Sequence, residues 1–326
     1  MHIIDIQYLK DYSSNSKNTA MHDLKSIYRK VFRTLSQVAK EYFVYGENHR
    51  FYPNAPLMSD LQIISLAITA ECTQITSENL LWAKIIKDYP HMFPHLVHRT
   101  TFNRRRKMLR EIILLCTEKM AEMMVVKDES FVVDSIPIPI CKIVRERRSK
   151  ACRRVEYDEV LANKGFNMIL GGYFIGFKMH IITTESGVYR DMLLTSGSDH
   201  DTTFLKLLGQ SDEHLKNREL LGDRGYIGKA TQLRLFKEVG LKLKVPYRRN
   251  QKDFKKYSRI RKLKRKTIEV VFSQYCDEYT IRSNYAKRFS GFDIRIVTKI
   301  ATKTFKQFWN HLNGRPINQT KHSLAA

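Results

Sequence analysis

Residues 131–138, Phe131-Val132-Val133-Asp134-Ser135-Ile136-Pro137-Ile138, decide how the rest of the chain is read. A short apolar run ending in a carboxylate is what a buried parallel strand looks like when it delivers an acid to its carboxyl end. Downstream, Phe177, Met179 and Ile181 alternate with Lys178 and His180, Glu185-Ser186-Gly187 makes a turn, and Val188 to Leu194 returns as a second strand. A helix from about Asp201 to Leu208 follows, then a strand Leu220-Leu221-Gly222-Asp223, a helix around Thr231 to Val239, and a strand Leu241 to Val245. A last helix carries Ile268, Val271, Phe272, Tyr275 and Tyr279 on its apolar side.

Strand, two-stranded hairpin, helix, strand, helix, strand, helix is the element order of the ribonuclease H-like fold, so the expected class is mixed α/β with helices on the sheet faces. Ligands of open α/β sheets bind beyond the carboxyl ends of strands. Asp134 and Asp223 each stand at such an end. Upstream the pattern is helical: Leu24, Ile27, Tyr28, Val31, Leu35 and Val38 mark one apolar face, and Ser59 with Gln62 forms a capping box. A third helix runs through Leu80, Leu81 and Trp82 to Pro90, and a fourth from an N-cap at Thr100 or Thr101 to Met120. The expected organisation is an all-helical, helix-turn-helix-like region over 1–125, a catalytic domain over 126–283 and a helical extension over 284–326.

The chain has 326 residues with 57 Lys+Arg against 33 Asp+Glu, a net charge of +24. Its 43% hydrophobic and 11% aromatic residues exclude a disordered basic tail, and 14 Gly with 8 Pro exclude collagen-like and low-complexity classes. Such a charge attracts polyanions, nucleic acid first. Lys142 to Arg154 carries a net +6 and Lys242 to Lys266 a net +12, which leaves only +6 for the remaining chain. The five cysteines form no C-x-x-C pair and suggest a reducing compartment. The first 14 residues lack the pattern of a signal peptide, and no apolar run approaches the ~18 residues of a membrane span. A cytoplasmic protein with no membrane partner is therefore expected.

Phosphoryl transfer between oxygens needs positioning and charge neutralisation, which a pair of divalent ions provides. Mg²⁺ prefers carboxylate oxygens. Asp134 and Asp223 supply two carboxylates. Glu269, about 100° around its helix from Ile268, sits at the edge of the apolar stripe and can supply a third. Each acid also has a structural reading: Asp134 as a turn cap, Asp223 in an Asp-Arg-Gly turn, Glu269 paired with Arg265. Ser198, Asp199 and Asp201 read as helix caps, with Asp201 the best substitute within a triad. His180, on a strand's polar side, reads as a structural or DNA-backbone contact. Asn103, Arg104, Arg105, Arg106 and Lys107 in the first turns of the fourth helix suit a recognition helix.

Four blocks carry a resemblance: Phe131 to Ile138, Gly172-Tyr173-Phe174-Ile175-Gly176-Phe177-Lys178, Gly222-Asp223-Arg224-Gly225-Tyr226-Ile227, and Ile268-Glu269-Val270-Val271-Phe272-Ser273. Together they resemble bacterial insertion-sequence transposases of the DDE type, most closely the insertion sequence 982 family, over about residues 55 to 324. The resemblance implies a triad of Asp134, Asp223 and Glu269 that holds two Mg²⁺ ions, with Mn²⁺ able to substitute. It implies cleavage at terminal inverted repeats, transfer of 3′ ends to target DNA, double-stranded DNA as partner, and a dimer in a synaptic complex in the bacterial nucleoid. Many related transposases carry a Tyr seven residues before the Glu, an Arg four before it and a Lys seven after it. Here those positions hold Lys262, Arg265 and Cys276, so only Arg265 is carried over, as a phosphate contact. Lys287, Arg295 and Lys299 are candidates to replace the Lys. The expected DNA contacts are Arg104, Arg105, Arg106, Lys107, Arg145, Arg147, Arg148, Arg248, Arg249, Lys262 and Arg265. The competing readings are a ribonuclease H-like nuclease that cuts without joining, and a DNA-binding regulator whose catalytic domain has decayed.

Overall fold

The computed structural model describes residues 23–124, 130–152, 160–168, 170–208, 215–248, 250–251 and 254–324. Arg249, an expected DNA contact, lies outside these residues, as does the N-terminal stretch read for a signal peptide. In chain order the elements are α1 (Leu24–Val38), α2 (Asp60–Cys72), α3 (Glu78–Asp88), α4 (Arg99–Met108), α5 (Arg110–Met124), β1 (Ser130–Cys141), β2 (Asn163–Asn167), β3 (Gly172–Thr184) and β4 (Tyr189–Ser196). They continue with α6 (Thr202–Leu207), β5 (Glu219–Leu221), α7 (Lys229–Val239), β6 (Lys242–Lys244), α8 (Arg259–Asp277) and α9 (Phe289–Leu312). Two compact units result, one of residues up to Met124 together with Ile294 onward, the other of Val125–Asp293.

In the first unit, the apolar stripe of α1 is buried at Leu24, Ile27, Val31, Leu35 and Val38. The expected capping box opens α2: the Ser59 hydroxyl accepts from Gln62 N, and the Gln62 side chain accepts from Ser59 N. α2 is buried along almost its whole length, as a central helix must be. The fourth helix departs from expectation. Its N-cap is His98, whose ring accepts from Thr100 N, and the helix breaks at Leu109 to give α4 and α5.

The second unit is built on a six-stranded sheet among the described residues, ordered β2-β3-β1-β5-β6, with β4 also paired to β3. β1 is antiparallel to β3 on one side and parallel to β5 on the other, and β5 is parallel to β6. The long β3 pairs with β2 through Gly172–Gly176 and with β4 through Phe177–Thr183, so both occupy successive parts of one edge. One face of the sheet packs Phe131, Val133, Ile182 and Leu220 against Phe204 and Leu205 of α6 and Leu235 and Val239 of α7. Strand alternation turns Val132 and Asp134 to the other face, where α8 lies along β1 and buries Ile268, Val271 and Tyr275. Asp134 therefore sits within β1, whose pairing to β3 continues through Pro139, and not at the end of the strand. Only the parallel ladder to β5 stops before it, at Val132.

Candidate active site

Asp134 and Asp223 converge because β1 and β5 are parallel neighbours whose shared ladder ends just before both. Asp223 stands two residues past the end of β5 and caps a short 3-10 helix, Arg224–Tyr226, by accepting from Gly225 N at 2.7 Å. Asp134 Oδ1 accepts from Ser135 N at 2.8 Å, and Oδ2 lies 3.8 Å from the Arg265 guanidinium of α8. A third carboxylate joins them. Asp201 heads α6 without capping it; its Oδ1 instead accepts from Ser135 Oγ at 3.0 Å and from Lys178 Nζ at 3.3 Å. Gly225 shows how closely this side chain approaches Asp223: a Cβ built there would stand 2.7 Å from Asp201 Oδ2 and 2.9 Å from Asp223 Oδ1.

The electrostatics follow from that crowding. Only 22% of the Asp134 side chain reaches solvent, so its carboxyl is largely shielded from water. Burial pushes its pKa up to about 7; the bond from Ser135 N and the Arg265 charge oppose this, while the charges of Asp223 and Asp201 reinforce it. The Arg265 pair, at 3.8 Å, is too long to offset burial. Beneath the acids, burial pushes the Tyr226 phenol far above its ordinary range, helped by the charges of Asp134, Asp201 and Asp223. The phenol is thus a fixed hydrogen-bond donor beside them. His180 is fully buried between Thr195, Tyr226 and the stacked ring of Phe204, and burial lowers its pKa to about 4. It is a core residue and offers no DNA-backbone contact.

Glu269 lines a cleft of about 610 Å³ together with Asp223 and Arg265, on the side of α8 where its helical position placed it. It has no hydrogen-bond or ion-pair partner among the described residues, so the alternative pairing with Arg265 is not formed. The cleft also takes in Arg224, Lys255, Lys256, Lys262 and Lys266, six cations to two acids when Arg265 is counted, with Tyr247, Phe254 and Tyr257. Arg265 Nε is buried without a partner, leaving its fork only loosely held by Asp134. Among the described residues, no three Asp, Glu, His or Cys side chains stand close enough together to hold one metal ion.

The other expected contacts divide sharply. Arg145, Arg147, Arg148 and Arg248 are exposed, although the Arg145–Arg148 run contributes nothing to the lining of the cleft. Arg104 is exposed and Lys107 half-buried. Arg105 and Arg106 must be corrected: both are buried and spent on internal acids. Arg105 bonds the buried Asp60 at 2.5 Å and the Met58 carbonyl, and Arg106 bonds Glu78 at 2.8 Å. Burial alone would raise the Asp60 carboxyl, but hydrogen bonds from Arg105, His49 and Tyr52 hold it below its ordinary value. Lys299 is likewise committed to Glu71 at 2.6 Å, and Arg295 to the Thr76 carbonyl and Glu78. The residue that sequence reasoning undervalued is Asp201. Its signal was weak, a position before a short helix where a cap is the ordinary explanation.

A mixed sheet with two acids just past the end of a shared parallel ladder, beside a strongly cationic cleft, defines a class of enzymes that act on the phosphates of nucleic acid. The family comparison makes this specific: the family model described as Transposase DDE domain matches residues 126–306, more than half of the chain. The chain belongs to the DDE transposases, and its sheet is accordingly of the ribonuclease H-like kind, with DNA as substrate. No curated protein and no solved structure matches it.

Domains of this family generally use divalent metal ions. The donor chemistry here fits such an ion: Mg²⁺ is usually held by one or two carboxylates, with waters and substrate phosphates completing its shell. Asp134 and Asp223 are such a pair, with burial first and the neighbouring acid charges second raising the Asp134 pKa. No helix among the described residues is long and apolar enough to cross a membrane.

Proposed function

We propose that the chain nicks DNA at the terminal inverted repeats of an insertion sequence of the insertion sequence 982 family, and joins the freed 3′ ends to target DNA. The observation that carries this reading is the convergence of Asp134 and Asp223 beside a cleft lined by Arg224, Lys255, Lys256, Lys262, Arg265 and Lys266, within a DDE transposase domain. Asp134, Asp223 and Glu269 are the residues that would hold the divalent ions, Mg²⁺ or Mn²⁺, whose role is to activate a nucleophile and neutralise charge on the phosphate. The protein's own part is positional. Arg265, with its unmet donors, binds the phosphate next to the acids. The lysines of α8 and of the loop before it fix the course of the backbone.

The N-terminal helices form the end-reading region, in a helix-turn-helix-like manner, with Arg104 and Lys107 of α4 as its outward cations. Bringing two ends together requires a dimer in the synaptic complex. The test is Asp223→Asn, which should leave binding to end DNA intact and remove nicking in Mg²⁺. Nicking that persists in this variant overturns the assignment. Joining of a pre-cut end by the wild-type chain separates a transposase from a nuclease that only cuts.

A further inference from the structure

The hairpin β2–β3 carries an aromatic surface that neither the core nor the active site uses. Phe166 and Tyr173 are direct cross-strand partners, and their rings meet edge to face at 5.3 Å. Both face solvent, at 55% and 62% exposure. Lys164, two residues along the same face, places its ammonium 4.8 Å from the centre of the Tyr173 ring, and its other charged neighbour, Glu146, is 4.0 Å away. A cross-strand aromatic pair stabilises a sheet through its mutual ring contact and needs no such exposure to do so. Here it stands open to solvent, with Phe166 on the edge strand β2 and Tyr173 on its neighbour β3.

The opposite face of the hairpin is firmly anchored. Gly165 packs on Gly197 so closely that a Cβ on it would fall 2.1 Å from the Gly197 carbonyl oxygen. Asn163 Nδ2 donates to Ser198 Oγ at 3.1 Å. This 197–201 loop is tied to the active site, since Lys178 Nζ donates to the Asp199 carbonyl at 2.7 Å and reaches Asp201. The face behind the two rings is therefore joined by direct contacts, through the 197–201 loop, to the Asp201 carboxylate.

We propose that Phe166, Tyr173 and Lys164 form a stacking platform for unpaired bases of the DNA strand that enters the active site. Every base offers an aromatic face to such rings whatever its sequence, and an adjacent ammonium neutralises the phosphate between stacked bases. The DNA substrate of the family, the net charge of +24 and the Lys164 ammonium favour nucleic acid over a protein segment on this face. The inference rests on the reading of the chain as a DNA-processing enzyme, but it is measured by binding and not by cleavage.

The experiment compares the full chain with Phe166→Ala/Tyr173→Ala, using fluorescein-labelled oligothymidine and a blunt duplex of equal length as probes. The double variant should lose roughly 5- to 150-fold in affinity for the single strand, with duplex affinity held within about twofold. Tyr173→Phe should bind as the parent does, because the ring remains. Unchanged single-strand affinity overturns the proposal, as does an equal loss on both probes. A change in sedimenting mass in the double variant would also overturn it, by making the face a contact between protein copies. If Asp223→Asn still nicks while the platform variant loses single-strand binding, the cleavage reading fails and the platform stands.

Discussion

The sharpest test of the site is Gly225→Ala. The glycine lies in a 3-10 turn outside the left-handed region, so alanine brings no backbone strain of its own. What it brings is a methyl 2.7 Å from Asp201 Oδ2 and 2.9 Å from Asp223 Oδ1. Ordinary contact begins at 3.4 Å, so Asp201 must withdraw by about 0.7 Å or Asp223 by about 0.5 Å, and relief of both contacts moves both acids. These are ends of partly solvated side chains, and the stability cost should stay below about 1 kcal/mol. Catalytic groups displaced by such distances lose far more: a misplacement on the order of 1 Å can cost about 100-fold in rate. Nicking of end DNA in Mg²⁺ should thus fall by roughly 10- to 100-fold, while the thermal midpoint and end binding remain near the parent values. Wild-type nicking with normal melting would refute the claim that the positions of Asp201 and Asp223 around Gly225 matter to the chemistry. A loss of several kcal/mol in stability would show instead that the turn is a folding determinant.

Three further outcomes follow from the geometry. Because buried His180 titrates near 4 when folded and near 6.5 when unfolded, the unfolded chain binds more protons between those values. Stability is then fully present above pH 6.5 and lost as pH falls toward 4, by about 3 kcal/mol, and urea melts of His180→Asn should show that part of the slope removed. Arg105→Ala strands buried Asp60 and should cost about 3 to 5 kcal/mol in chemical denaturation, whereas exposed Arg104→Ala should leave stability unchanged and weaken end binding. Lys262→Ala, in the cleft, should lower the salt slope of DNA binding by about 1 without favouring any sequence; an unchanged slope would remove it from the phosphate path.

Period and punctuation made much of the fold legible. The stripe of α1, the Ser59–Gln62 box and the strand before Asp223 are local patterns found near their expected places, whereas Asp134 lies inside its strand and not at the end. What escaped was non-local. The break at Leu109 lies within an uninterrupted apolar period, so nothing in the sequence marks it. β1 continues past Asp134 through Pro137 and Pro139, residues that ordinarily argue against a central strand. It can do so because β5 ends its pairing at Val132, and prolines of one parity on a strand with one open edge leave the ladder to β3 intact. β2 was missed altogether: Asn163-Lys164-Gly165-Phe166-Asn167 has little strand propensity, and its glycine is there for the approach to Gly197.

Charge shows the same limit in its most consequential form. Arg104, Arg105 and Arg106 are indistinguishable in sequence, yet Arg104 is exposed while the other two neutralise Asp60 and Glu78, acids 45 and 28 positions upstream of Arg105 and Arg106 respectively. Lys299 does the same for Glu71. A buried cation is held by the desolvation its partner would suffer alone, so it cannot be lent to a phosphate without destabilising the helices. Around α8 the balance is reversed: six cations share the cleft with two acids, and Arg265 meets Asp134 only at 3.8 Å. A cation surplus that no internal acid absorbs is the part of the net charge available to DNA. Half of it, Lys262, Arg265 and Lys266, stands on the helix that also carries Glu269, so under the proposed assignment a shift of α8 would move the third acid and these three cations together.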